Sequence, residues 1–250
     1  MLTFPYNSAV ARGALTTFVS FLISSGNPNI SLAVTDVIPS IEQPKQSVAV
    51  TMPGLLNWRY DSAKDIPAEK IKKHEILHGK TVKVIDGDTI RIRHLPFYPF
   101  GGRSADFDGK LSENTISVRI YGVDAPEVAK FGNPSQPKGD EAKEFTQKMV
   151  GDKVVRVKLL RKDQYGRIVG KVQTGGVIPF TKRDLTKELA KNGYGVLYTG
   201  GGAEYDNKRD ELVKLIDKAK KKKKGIWIDG PNVQTPAEYK RAAKNTRSDR

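Results

Sequence analysis

The chain has 250 residues, 38% hydrophobic and 28% charged, enough for one well-buried domain with appendages but cramped for two. Its 43 Lys and Arg against 28 Asp and Glu leave a formal charge of +15, which favours a polyanionic partner: DNA, RNA or an anionic membrane surface. The absence of cysteine excludes disulfides, thiolate zinc sites and thiol nucleophiles, and leaves the redox compartment open.

Residues 1–35 contain no Asp or Glu and one Arg, and they enclose the apolar run Ala14 to Ile23. That run is close to the roughly 7–15 residues of a signal-peptide core and short of the roughly 18 or more of a membrane span. A targeting segment for the secretory pathway or an organelle is expected. The alternatives are a membrane anchor that uses the weaker flanks, for example mitochondrial, and a buried amphipathic segment. Ser31-Leu32-Ala33 is a cleavage candidate, and Asn29-Ile30-Ser31 is a glycosylation acceptor if the chain is secreted. From 36 to 73 the prolines Pro39, Pro44, Pro53 and Pro67 interrupt any long periodic run, which predicts a linker or accessory segment.

Thr81 to Ile85 alternates with a period of two, ends in Asp-Gly, and is followed by a second alternating run, Thr89 to Arg93, so a hairpin is predicted. Thr115 to Ile120 forms a third strand after a loop rich in Pro, Gly and aromatics from His94 to Asn114, and Val154 to Leu160 and Arg167 to Val172 flank the Gln164-Tyr165-Gly166 turn. Helical spacing marks Ala142, Phe145 and Met149 within 139–150, then Leu185 and Leu189 before Gly193. It also marks Leu212, Leu215, Ile216 and Ala219 within 207–224, before Gly225. The pattern predicts an α+β domain over 74–228: a five-stranded Greek-key β-barrel of the OB type with about three helices. Residues 229–250 are polar and basic and read as a flexible tail.

Three strings carry the chemistry: Asp86-Gly87-Asp88-Thr89, Val118 to Glu127, and Asp163-Gln164-Tyr165-Gly166-Arg167. A barrel brings strand ends together, so Asp88 and Asp124 suit a shared mouth, where a carboxylate pair with backbone oxygen and water holds calcium or magnesium. Glu127, beyond Pro126, fits a general base that faces water without ligating the metal. Arg119 and Arg167, from two strands, suit a phosphate bracketed from both sides. Taken singly, Asp-Gly and Tyr-Gly-Arg are ordinary turn sequences.

In order and spacing these strings resemble the thermonuclease, or staphylococcal nuclease-like, family over residues 74 to 228. The likeness includes Val84 to Thr89, Val123 to Glu127, Glu141-Ala142, Asp163 to Arg167 and the lysine-rich last helix ending Gly225-Ile226-Trp227. It implies an OB barrel with three helices and calcium-dependent hydrolysis of DNA and RNA to products carrying a 3′-phosphate. It further implies Asp88, Asp124 and the Ala125 carbonyl as Ca2+ ligands, Asp86 behind them, and Glu127 as base. Arg119 and Arg167 would stabilise the transition state, and Tyr165 and Tyr198 would line the nucleotide pocket. Ala125 stands where the bacterial enzyme has threonine and Gln164 where it has lysine. The 94–114 loop is also much longer. Phe131 to Pro137, Arg161 to Arg167 and Gly202 to Tyr205 look more like eukaryotic, membrane-anchored members.

Other signals compete. His74-Glu75-Ile76-Leu77-His78 matches the zinc-protease pattern H-E-x-x-H, but that motif needs a helix, and Gly79 and a strand follow at once. Lys218 to Lys224 reads as a solvated helix end, and Trp227 as a core plug. The rival function is a non-catalytic nucleic-acid-binding or scaffold domain of the same fold.

Overall fold

The computed structural model describes residues 3–6, 17–22, 31–35, 59–96, 98–99, 106–129, 134–175, 181–230 and 232–248, in two units, Met1–Trp58 and Arg59–Arg250. The first unit holds three antiparallel strands in the order β1 (Thr3–Tyr6), β2 (Thr17–Leu22), β3 (Ser31–Thr35). β2 falls within the apolar run, whose Thr, Phe and Val content suits a strand as well as a targeting core. Ser31-Leu32-Ala33 lies in β3, and Asn29 and residues 36–58 lie outside the described residues. Among the described residues no helix is long and apolar enough to cross a membrane.

In the second unit, alternating sequences become the strands of a closed barrel. β4 (Ile76–Asp86), β5 (Thr89–His94), β6 (Ile116–Ile120), β8 (Val154–Lys162) and β9 (Ile168–Thr174) follow one another around it, with β7 (Val123–Asp124) a short strand after β6. The ring runs β4-β5-β6-β9-β8 and returns to β4, antiparallel except where β6 meets β9. Ile90, Ile92, Val118, Ile120, Val157, Leu159, Ile168 and Val172, at most 1% exposed, fill it. Closure depends on β4 serving two neighbours, pairing with β8 over 76–80 and with β5 over 79–86. Gly79 sits at the handover, where a Cβ would lie 2.9 Å from the Arg93 carbonyl oxygen.

The predicted helices appear as α3 (Gly139–Val150), α4 (Leu185–Asn192) and α5 (Arg209–Lys221), and Trp227 is buried beneath the last of them. Gly193 closes α4 in a left-handed conformation, φ 75°, as its place in the sequence suggests. Among the described residues there are three further α-helices: the short α2 (Leu111–Asn114) within 74–228, and, outside that span, the short α1 (Ala68–Lys72) and α6 (Pro236–Ser248), where a flexible tail was expected. Thr235 and Glu238 cap α6 reciprocally, each accepting from the other's amide at 3.3 and 2.7 Å, with Pro236 at its first turn. The zinc pattern fails on backbone grounds, since His74 has φ 52° and His78 is on β4.

Of the segment 36–73, read as linker or accessory, the part from Arg59 onward packs with the second unit. Ala63 and Ile66 are buried in the core, and the Tyr60 amide donates to His94 Nδ1 at 2.9 Å with the two rings stacked at 4.9 Å. Burial, then the nearby Arg59 charge, lower the His94 pKa to about 4, so the ring is neutral when folded. The unfolded chain therefore binds the extra proton first, and the stability this provides is complete above about pH 6.5 and is lost as pH falls toward 4. The urea midpoint of the full chain should drop over that window by the equivalent of about 2 kcal/mol. In His94→Asn, which keeps an acceptor for Tyr60, the slope should flatten.

Candidate active site

The site begins with strand register. Thr89 on β5 lies opposite Arg119 on β6, and the Ile120 amide donates to the Asp88 carbonyl at 2.8 Å, which sets Asp88 beside the Arg119 guanidinium. After β6 the chain turns back through Gly122, φ 72°, and β7 brings Asp124 to the other side of the same arginine. Arg119 Nη2 lies 2.6 Å from Asp124 Oδ1 and 3.3 Å from Asp88 Oδ2, so one cation joins two carboxylates. Asp88 and Asp124 are 2% and 3% exposed, which leaves little water to share the charge.

Each carboxylate is braced. Asp88 accepts from Thr89 Oγ1 at 2.8 Å and from the Ala125 amide at 3.1 Å, while its own amide donates to Asp86 Oδ1 at 3.2 Å. Asp86 is thus tied to the backbone of Asp88. Burial opposes ionisation of Asp88, yet Arg119, Lys240 and the Ala125 amide outweigh it and bring its pKa down to about 2. Burial and the negative charge of Asp88 push Asp124 the other way, upward, against Lys240 and Arg119. Burial works against the Arg119 charge, but Asp88 and Asp124 raise its pKa overall.

Small residues let the loops close on this cluster. A Cβ on Gly87 would lie 2.6 Å from the Ala125 Cβ, and the Gly87 carbonyl accepts from Thr146 of α3 at 2.7 Å. A Cβ on Gly139 would meet the Glu127 carbonyl oxygen at 2.3 Å. Gln136, 4% exposed, clamps Glu127 through two bonds: its amide donates to the Glu127 carbonyl at 2.8 Å, and its Oε1 accepts from the Glu127 amide at 3.2 Å.

Tyr198 arrives because β10 (Val196–Leu197) pairs with β7, and its ring lies 5.0 Å from the Arg119 guanidinium. Arg167 is held by Asp163, Nε to Oδ2 at 2.7 Å, and stacks 5.2 Å over Tyr165, which is 74% exposed. Arg119 pairs with Val169, and Arg167 lies two residues before Val169, so the two arginines share a face of neighbouring strands.

Three residues escaped the sequence reading. Arg161 also pairs with Val169 and so joins the arginine face, turned there by a bulge that buries both Leu159 and Leu160. Gln136 looks like an ordinary loop residue until its burial is known. Lys240, on α6, places Nζ 3.1 and 3.4 Å from the Asp124 carboxylate oxygens and 2.9 Å from Glu127 Oε1. The only sequence signal for α6 is the capping pattern Thr235-Pro236-Ala237-Glu238.

Among the described residues no three or more Asp, Glu, His or Cys side chains gather closely enough to hold a metal by themselves. The donor set nevertheless suits a hard cation: two buried carboxylates, a third beside them, and the Lys240 ammonium already among their oxygens. Arg119→Ala would leave Asp88 and Asp124 buried without their shared cation. The urea midpoint at pH 7 should fall by the equivalent of about 3 kcal/mol.

Comparison with known proteins agrees with the barrel and its order of motifs. Residues 117–229 match the family described as Staphylococcal nuclease homologue, a span holding Arg119, Asp124, Ala125, Glu127, Tyr165, Arg167 and Tyr198. The chain is 38% identical over 212 residues to "Endonuclease Htp3" of Saprolegnia parasitica, covering 84% of this chain and 92% of that protein. Two proteins named "Probable endonuclease LCL3" are also similar. That of Komagataella phaffii is 39% identical over 200 residues (74% of this chain, 83% of the relative), and that of Yarrowia lipolytica 38% over 194 (73% and 83%). With the fold, the family match and these relatives in agreement, the chain belongs to the staphylococcal nuclease-like family.

Proposed function

We propose that the chain is an endonuclease that hydrolyses phosphodiester bonds of DNA or RNA, with Ca2+ as cofactor. The observation that carries this reading is the contact of one arginine, Arg119, with two buried aspartates, Asp88 and Asp124, and Glu127 beside them. Family membership and relatives named as endonucleases support it.

Asp88, Asp124 and the Ala125 carbonyl would hold the ion, and Asp86 fixes Asp88 by accepting from its amide. When bound, a divalent cation neutralises phosphate charge and makes nearby water more acidic. Glu127, its side chain 20% exposed, receives the proton of the attacking water at the rim of the cluster. The water oxygen bonds to phosphorus as the bond to the 5′-oxygen breaks, leaving a 3′-phosphate, and the departing 5′-oxygen takes a proton from solvent to become a hydroxyl. Arg119 and Arg167 donate to the phosphate oxygens as their charge grows, and Arg167 also donates to the departing oxygen. Tyr165 and Tyr198, each against one of these arginines, offer faces on which a base stacks.

The full chain should degrade single-stranded DNA at millimolar calcium and lose the activity with a chelator. Glu127→Gln and Arg167→Ala should each lower kcat by about 100-fold or more, with little change in urea midpoint. Activity indifferent to chelation, or undiminished in both variants, would sink this mechanism, and binding without turnover would favour the scaffold reading. We also propose residues 1–35 as the targeting segment, on their lack of acidic residues and their apolar run. Fluorescence microscopy of the chain with and without them should show different distributions.

A further inference from the structure

The C-terminal helix reaches the site by a built route. Its start is fixed by the Thr235 and Glu238 caps, and just ahead of it the Gln234 carbonyl accepts from Gln136 Nε2 at 2.7 Å. Tyr239 then donates to the Pro134 carbonyl at 2.6 Å, and Lys240, the next residue, puts its ammonium on Asp124 and Glu127. Pro236, Tyr239 and Lys240 stand three and four apart, so one helical face makes the contact. Gln136 clamps Glu127 with one end of its amide and holds this segment with the other, which joins helix docking to the position of Glu127.

The oxygens that Lys240 occupies are those the proposed mechanism needs. With the ammonium in contact, Asp124 is committed to a lysine instead of a metal ion, and Glu127 Oε1 is engaged by the same ammonium. The contact is also reversible by construction. The Lys240 side chain is 44% exposed although Asp124 is only 4% exposed, so water reaches the ammonium from its own side of the pair. Of the α6 side chains described, over 236–242, Pro236 is buried, Tyr239 is half-buried and the others are exposed, which suits a segment that opens at low cost.

We propose that α6 is an autoinhibitory plug whose Lys240 ammonium occupies the divalent-cation site and is displaced when the cation binds. The inference rests on the reading of Asp88, Asp124 and Glu127 as the cation and base site. Because the ion and the lysine compete for the same carboxylates, the apparent affinity for calcium is reduced by the fraction of chains in which the plug is out.

Calorimetric titration of the full chain with calcium, without nucleic acid, measures that affinity directly. Lys240→Gln should bind calcium about tenfold more tightly than the wild type, as expected for a plug that is closed about nine-tenths of the time. Tyr239→Phe, which removes the latch to Pro134 and leaves Lys240 in place, should shift affinity the same way by less. Amide hydrogen exchange of residues 236–242 should accelerate when calcium is added to the wild type. Equal or weaker calcium binding in Lys240→Gln would overturn the plug and leave the cation site standing. Absence of calcium binding in wild type and both variants alike would overturn the site and the plug with it.

Discussion

Two buried carboxylates on one arginine are the constraint around which the rest of this domain is arranged. Asp88 and Asp124 are almost without solvent, and an unpaired charge in such a place costs several kcal/mol. Arg119 answers that cost, and it can do so only because β5 and β6 pair with Thr89 opposite Arg119. A slip of one residue would turn Arg119 to the inside and Val118 or Ile120 out, so the apolar core and the ion cluster enforce the same register. Barrel stability and site geometry therefore share a cause.

The loops around the cluster are held by backbone approach more than by side-chain packing. Gly87 lets Ala125 and α3 press against the aspartate turn, and Gly139 lets the start of α3 meet the Glu127 carbonyl. The family resemblance places threonine where this chain has Ala125. The space beside Gly87 is so tight that the smaller side chain suits it, while the Ala125 amide still reaches Asp88. Gln136 carries this logic outward by fixing Glu127 and receiving the segment that leads into α6.

Much of this was legible in the sequence because it is local and periodic. The five strands follow from alternation, three helices from apolar spacing, and the aspartate turn and the Asp163 to Arg167 hairpin from their own residues. The length of β4 was not legible, since its first half pairs with a strand more than seventy residues away and bends at a glycine, where alternation lapses. Nor was the Arg59 to Ile66 segment, whose burial depends on His94 and Arg93 across the fold. Composition made α6 look like a tail, because a polar, basic stretch has no apolar stripe to announce docking. Its contacts are ion pairs and carbonyl hydrogen bonds, which leave no periodic trace.

The charge balance at the mouth bears on the order of binding. The chain carries +15 overall, with lysines clustered at the end of α5, yet its candidate site gathers Asp86, Asp88, Asp124 and Glu127 around Arg119 and Lys240. Long-range attraction brings a polyanion to the protein, whereas short-range repulsion from these carboxylates opposes a phosphate entering their midst. On the proposed reading, a divalent ion in place of Lys240 would add a further unit of charge on the same oxygens and lower that repulsion, so cation and phosphate would each favour the binding of the other. Under that proposal, displacement of Lys240 by the cation would ease the entry of phosphate and release the Lys240 contact on Glu127 in a single exchange.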